Sequence, residues 1–135
     1  MDTTNQVCTV LCLDDDSVFT DVICHRLGRD GISNAYAPTW SVAQQMLSKE
    51  PLPKVILLDV SMPDINGFEV LQKLKGDTRT AHIPVLMFSN NVEPENFTRS
   101  KALGAREYLI KVDISPGEVA EKIKQILAET TETIA

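Results

Sequence analysis

The feature that most constrains this chain is a rhythm. Short apolar runs recur, each followed by a stretch with helical spacing, and the pattern turns over five times in 135 residues. The runs VCTVLCL (7–13), VILLD (55–59), VLMFS (85–89) and EYLI (107–110) read as strands, with ISNAYA (32–37) as a weaker one. Strands that are apolar without alternation must be covered on both faces, which is the condition of a parallel sheet between two helix layers.

The stretches between the runs supply the helices. In DSVFTDVICHRLGRDG (16–31) the apolar stripe reads as Val18, Val22, Ile23 and Leu27, stopped by Gly28 or Gly31. TWSVAQQMLSKE (39–50) puts Val42, Ala43, Met46 and Leu47 on one face, with Thr39 as N-cap. GFEVLQKLKG (67–76) carries Phe68, Val70, Leu71 and Leu74 and closes at Gly76, and PENFTRSKALG (94–104) closes at Gly104. ISPGEVAEKIKQILAET (114–130) opens with Ser115, Pro116 and Glu118, a capping box with proline at the first helical position, ahead of Val119, Ile123, Ile126 and Leu127. TTETIA (130–135) reads as a loose tail. The whole predicts an α/β doubly wound parallel sheet in one domain over 1–135, with its core at about 7–128.

Composition excludes several classes. Hydrophobic residues make up 43% of the chain and charged residues 24%, enough for one packed core without disulfides. Thirteen basic against nineteen acidic residues give a net charge of −6 with no basic cluster, which argues against direct nucleic-acid binding. Cys8, Cys12 and Cys24 form no C-x-x-C pair and read as small hydrophobes in a reducing cytoplasm. The N-terminus, MDTTNQ, has no signal-peptide character, and no apolar run approaches the roughly 18 residues of a membrane span.

The chemistry lies at the carboxyl ends of the strands. In a doubly wound sheet ligands bind there, where the strand order reverses. With order 2-1-3-4-5 that crevice lies between the first and third strands. Asp14, Asp15 and Asp16 follow the first strand, Asp59 ends the third, Ser89 the fourth, and Lys111 follows the fifth. Carboxylates gathered in one crevice repel and raise one another's pKa. A hard dication such as Mg²⁺ relieves that with two or three of them plus water. Carboxylates, a cation, a lysine and a hydroxyl together suit a phosphoryl group in transit. A carboxylate can also be the nucleophile, giving an acyl phosphate.

These residues carry a family resemblance. LCLDDDS (11–17), LLDVSMPDINGFEVL (57–71), IPVLMFSN (83–90) and AREYLIK (105–111) resemble the receiver domain of two-component response regulators, over about residues 7–128. The resemblance implies a flavodoxin-like (βα)5 fold and assigns roles by position. Asp59 matches the phosphoacceptor. Asp14 and Asp15 match the acidic pair, Asp15 as the direct Mg²⁺ ligand and Asp14 acting more through water, and the Ser61 backbone carbonyl matches a third protein ligand. Ser89 and Lys111 match the hydroxyl and the lysine that meet the phosphoryl oxygens, and Tyr108 matches an aromatic switch that follows Ser89. Pro63 and Gly67 shape the loop after the third strand. The implied donor is a phosphohistidine of a sensor histidine kinase or a histidine phosphotransfer protein. The implied output is a downstream protein target, or a homodimer, met through the fourth helix, fifth strand and fifth helix. The only chemistry implied is the domain's own phosphorylation and dephosphorylation. As a complete chain it would be a stand-alone receiver; as part of a longer one its output would lie elsewhere.

The sequence departs from the family pattern in two places. Val112 follows the lysine where the family usually has proline, and Asn90 follows the serine where a small residue such as alanine is usual. Ser61 and Asn91 occupy positions that tune acyl-phosphate lifetime in the family. Asp16 reads as a helix-capping acid, His25 and His82 as surface residues, and Trp40 as partial cover for the core. Two alternatives accompany the receiver. One is a haloacid-dehalogenase-type phosphohydrolase with Asp14 as nucleophile in a D-x-D pair with Asp16, although the chain lacks a cap insertion and a late acidic pair. The other is a receiver-like binding module that works without phosphorylation.

Overall fold

The computed structural model describes the backbone of residues 9–134 and the side chains of residues 9–129. Five strands alternate with five helices: β1 (Val10–Leu13), α1 (Ser17–Arg29), β2 (Asn34–Ala37), α2 (Trp40–Leu47), β3 (Val55–Asp59), α3 (Gly67–Gly76), β4 (Val85–Ser89), α4 (Pro94–Ala102), β5 (Glu107–Ile110) and α5 (Pro116–Ile134). The strands form one sheet in the order β2-β1-β3-β4-β5. Every neighbouring pair is parallel. The fold is the expected doubly wound one.

Alternation along each strand divides the core in two. Leu11, Leu13, Ile56, Leu58, Val85 and Met87 face the layer of α2 and α3. Val10, Cys12, Val55, Leu57, Leu86, Phe88 and Leu109 face α1 and α5. This period of two is the geometry of any strand, and here both faces are apolar because both are covered.

Several local expectations hold in detail. Thr39 caps α2 through Val42 N–H (3.1 Å). Ser115 and Glu118 close their capping box reciprocally, at 2.9 and 3.1 Å. Gly104 takes φ +102°, the left-handed conformation that suits a glycine after a helix. His25 and His82 are exposed, and Trp40 is half-buried against the core. Cys12 is buried on β1 beside the half-buried Cys24 of α1; Cys8 lies outside the described residues.

Other expectations need correction. The buried row of α1 is Thr20, Ile23 and Leu27. Val18 and Val22 belong to the solvent side, 73% and 48% exposed. A threonine on the inner row and valines on the outer one disguise the true stripe. Met46 of α2 is likewise exposed. The first strand excludes Thr9 and the second begins at Asn34, later than the apolar runs suggested; Val7 and Cys8 of the first run lie outside the described residues. Helix α5 runs on to Ile134, into the stretch read as a loose tail.

Candidate functional site

The strand ends bring charges together as the topology requires. Alternation continues one step past the core on the α1/α5 face: Cys12 leads to Asp14, Leu57 to Asp59, and Leu109 to Lys111. The three side chains meet. Lys111 Nζ lies 2.8 Å from Asp14 Oδ2 and 3.6 Å from Asp59 Oδ2. Asp14 and Asp59 are each 5% exposed. Lys111 also sits 4.8 Å from the centroid of the Phe19 ring, which packs edge-on against Phe88. The ammonium group is thus walled by aromatic surface on one side and carboxylates on the other.

Backbone donors hold the carboxylates in place. Asp14 Oδ1 accepts from Asp16 N–H (2.9 Å), and Asp59 Oδ1 accepts from Ser61 N–H (3.3 Å). Asp16 caps α1, accepting from Phe19 N–H at 3.1 Å, which is the role expected of it. The loop after β3 is fixed from behind by Gly67, whose N–H donates to the Val60 carbonyl at 2.7 Å. A Cβ at Gly67 would collide with the Asp59 carbonyl oxygen and lie 2.7 Å from Val60 Cα. Only glycine permits the start of α3 to back so closely onto the end of β3.

The electrostatics follow from burial. Desolvation, and then the charge of Asp14, push the Asp59 carboxyl up to about 7, while Lys111 and the Ser61 N–H pull it down without cancelling them. Burial works against the Lys111 ammonium, but its hydrogen bond to Asp14 and the charges of Asp14, Asp59 and Asp16 outweigh that and hold its pKa above the ordinary lysine value. The carboxylates are crowded, and one cation among them does not relieve the crowding fully.

A metal ion fits this donor set. Asp14, Asp15 and Asp59 each offer a carboxylate oxygen, and these atoms lie within 4.8 Å of one another. All-oxygen donors of that number suit a hard dication that keeps several waters. Asp14 and Asp59 also line a cavity of about 10 Å³ with Thr20. The Thr20 hydroxyl is buried without a hydrogen-bond partner among the described residues. Thr20 is a functional-site residue that the apolar stripe of Val18, Val22, Ile23 and Leu27 did not include.

Ser89 and Tyr108 stand slightly apart. Ser89 is buried at the end of β4, and its Oγ accepts from Asn91 N–H (3.0 Å). The Tyr108 ring is half-buried against Phe97, with centroids 4.5 Å apart, and its hydroxyl donates to the Asn91 carbonyl (2.8 Å). Asn91 therefore links the two residues directly. Past β5 the chain makes a 3-10 turn, Lys111–Asp113, and the Lys111–Val112 peptide bond is trans. Asp64 is a further residue the sequence reading missed: its carboxylate accepts from Trp40 and Ser41 N–H, both at 3.1 Å, tying the loop after β3 to the start of α2.

Comparison with known proteins decides the family. The response regulator receiver domain family matches residues 10–124. The chain belongs to that family. It is 30% identical to the phosphate regulon transcriptional regulatory protein PhoB of Escherichia coli over 118 residues, 87% of this chain and 51% of that protein. It is also 30% identical to the two-component response regulator ORR11 of Oryza sativa subsp. indica over 118 residues, 87% of this chain and 80% of that protein. The chain thus spans about half the length of PhoB. Among solved structures it is similar to the chemotaxis response regulator CheY4 of Vibrio cholerae, with TM-score 0.79 and 25% identity over 90% of this chain and 99% of that one. A CheY-like receiver domain protein from Methanospirillum hungatei gives TM-score 0.82 and 25% identity, covering 95% and 99%. The chain is a phosphoacceptor receiver of two-component signalling, and neither the hydrolase nor the phosphorylation-independent module is favoured.

Proposed function

We propose that Asp59 accepts a phosphoryl group from a phosphohistidine of a sensor histidine kinase or histidine phosphotransfer protein. The observation that carries this is the meeting of Asp59, Asp14 and Lys111 in one buried cluster at the sheet's switch point. An Asp59 oxygen attacks phosphorus as the P–N bond breaks, and the imidazole keeps the bonding electrons and takes up a proton. Asp59 must be ionised to attack. Lys111 favours that ionisation and meets a phosphoryl oxygen as charge develops. Asp14, Asp15 and Asp59, with the Ser61 backbone carbonyl, would hold Mg²⁺. When bound it would neutralise the carboxylates and the incoming phosphoryl oxygens.

Ser89 is the hydroxyl donor to the phosphoryl group. A shift of its Oγ toward the phosphoryl group draws on the Asn91 N–H from which it accepts, and so on the loop that Asn91 shares with Tyr108. The two-state element is therefore the β4–α4 loop and its tyrosine, and the readout is the surface of α4, β5 and α5. Phe97 of α4 is 39% exposed, and Val92 before α4 and Val112 after β5 are 64 and 77% exposed, which supports a protein target or a second copy as partner. We place this single receiver domain, residues 1–135, in the cytoplasm; among the described residues no helix is long and apolar enough to cross a membrane. Beyond its own phosphorylation and dephosphorylation we assign it no reaction.

The test is intact mass after incubation with Mg²⁺ and acetyl phosphate, for wild type, Asp59→Asn and Asp14→Asn, with and without chelator. One metal-dependent adduct, lost in Asp59→Asn, is expected. An adduct that survives Asp59→Asn and disappears in Asp14→Asn would restore the hydrolase reading.

A further inference from the structure

The two departures from the family pattern meet in space. Asn90 Oδ1 accepts a hydrogen bond from Val112 N–H at 3.1 Å. Backbone pairing between β4 and β5 ends at Ser89 and Ile110. The Asn90 side chain spans the gap just beyond, joining the residue after the serine to the residue after the lysine. A proline at 112 would have no N–H to give. An alanine at 90 would have no oxygen to receive it. Each departure is therefore the complement of the other. Sterics alone explain neither: Asn90 is exposed, and the Val112 side chain points to solvent at 77% exposure.

We infer that Asn90 is a positioning residue, which latches the loop after Ser89 to the turn after Lys111 so that hydroxyl and ammonium approach the phosphoryl group as one unit. The inference rests on the phosphoacceptor reading of the site. Its logic is preorganisation: two groups that must meet the same phosphoryl oxygens sit on separate loops, and a tie between the loops reduces what must be ordered in the transition state. The Asn91 links to Ser89 and Tyr108 fasten the same loop from its other side. The latch thus couples the lysine to a segment already coupled to the switch tyrosine.

A hydrogen bond between neutral partners at an accessible site sets the scale, about a three- to tenfold effect on rate. The test uses the full chain, acetyl phosphate as probe and three variants. Asn90→Ala removes the acceptor. Asn90→Leu removes it at nearly constant size. Asn90→Asp keeps an acceptor oxygen. Two readouts are taken: the phosphorylation rate constant at saturating Mg²⁺, and amide hydrogen exchange at Val112. The latch requires that Asn90→Ala and Asn90→Leu both slow phosphorylation about three- to tenfold and both expose the Val112 amide to exchange. The Mg²⁺ concentration for half-saturation should not change, because the carboxylates lie on other loops. Asn90→Asp should retain Val112 protection and most of the rate. The inference fails if Asn90→Leu matches wild type while Asn90→Ala does not, since Asn90 then acts by bulk. It fails equally if Val112 exchanges as fast in wild type as in Asn90→Ala. A wild type that takes up no phosphoryl group overturns the site reading itself, whereas normal wild-type uptake with unaltered variants overturns the latch alone.

Discussion

Asp59→Asn should stabilise the metal-free protein at alkaline pH. Asp59 ionises near 3.8 when exposed and near 7 in the fold, because burial and the charge of Asp14 disfavour its anion. Each pKa unit is worth about 1.4 kcal/mol, so a fully dry site would set a ceiling of about 4 kcal/mol. The crevice opens to water at the exposed Asp15, and Lys111 can shift between its two carboxylates. Such relaxation raises the effective dielectric and brings the expected gain to about 1–3 kcal/mol. The sign depends on pH in a defined way. Well below 3.8 the carboxyl is protonated in both folded and unfolded chains, and aspartate and asparagine are equivalent. As pH rises from 3.8 to 7 the unfolded chain ionises Asp59 and the folded chain does not, so wild type loses stability relative to Asp59→Asn. Above 7 the full difference is reached. Urea denaturation of both proteins in chelator, at pH 5 and pH 8, measures it. The variant should gain more at pH 8 than at pH 5, with unchanged m-values. Saturating Mg²⁺ should offset most or all of that gain, since at a hundredfold excess over Kd a ligand stabilises the folded form by about 2.7 kcal/mol. A variant no more stable than wild type at pH 8 in chelator would refute the reasoning, as would a gain independent of pH.

Other perturbations reach separate parts of the site and fold. Lys111→Met should lower the phosphorylation rate constant by about a hundredfold or more; it should also tighten Mg²⁺ binding by removing a competing cation from Asp14, as titration calorimetry would show. Gly67→Ala should destabilise the fold by about 1–3 kcal/mol in urea titration and weaken Mg²⁺ binding, because the new Cβ must push the end of β3 away. Asp64→Ala should lower stability in urea titration by removing the acceptor of the Trp40 and Ser41 N–H groups at the start of α2, which Thr39 still caps, while the intact-mass adduct with acetyl phosphate still forms.

Much of this was legible in the sequence because it is local or periodic. The capping box at Ser115 and Glu118 spans three residues, and its chemistry is complete within them. The strand ends were legible for another reason: Asp14, Asp59, Ser89 and Lys111 break apolar runs at their last step, and the topology rule then gathers them. Helix α1 was misread because its rows compete. Val18 and Val22 imitate a core stripe four apart, while the true inner row contains Thr20. What stayed hidden joins distant segments. Asp64 caps a helix 23 and 24 residues earlier, and Asn90 reaches Val112 across 22 residues. The sequence showed residues 90 and 112 as two unrelated departures; their relation exists only in three dimensions.

On the reading proposed above, the carboxylate of residue 59 becomes an acyl phosphate. Borohydride reduction converts an acyl phosphate to an alcohol, so peptide mapping by mass after treatment with Mg²⁺, acetyl phosphate and borohydride locates it. The reduced side chain is expected at position 59, and is expected to be absent when chelator replaces Mg²⁺. A reduced side chain at position 14, or a phosphoryl adduct that leaves residue 59 unreduced, would contradict it.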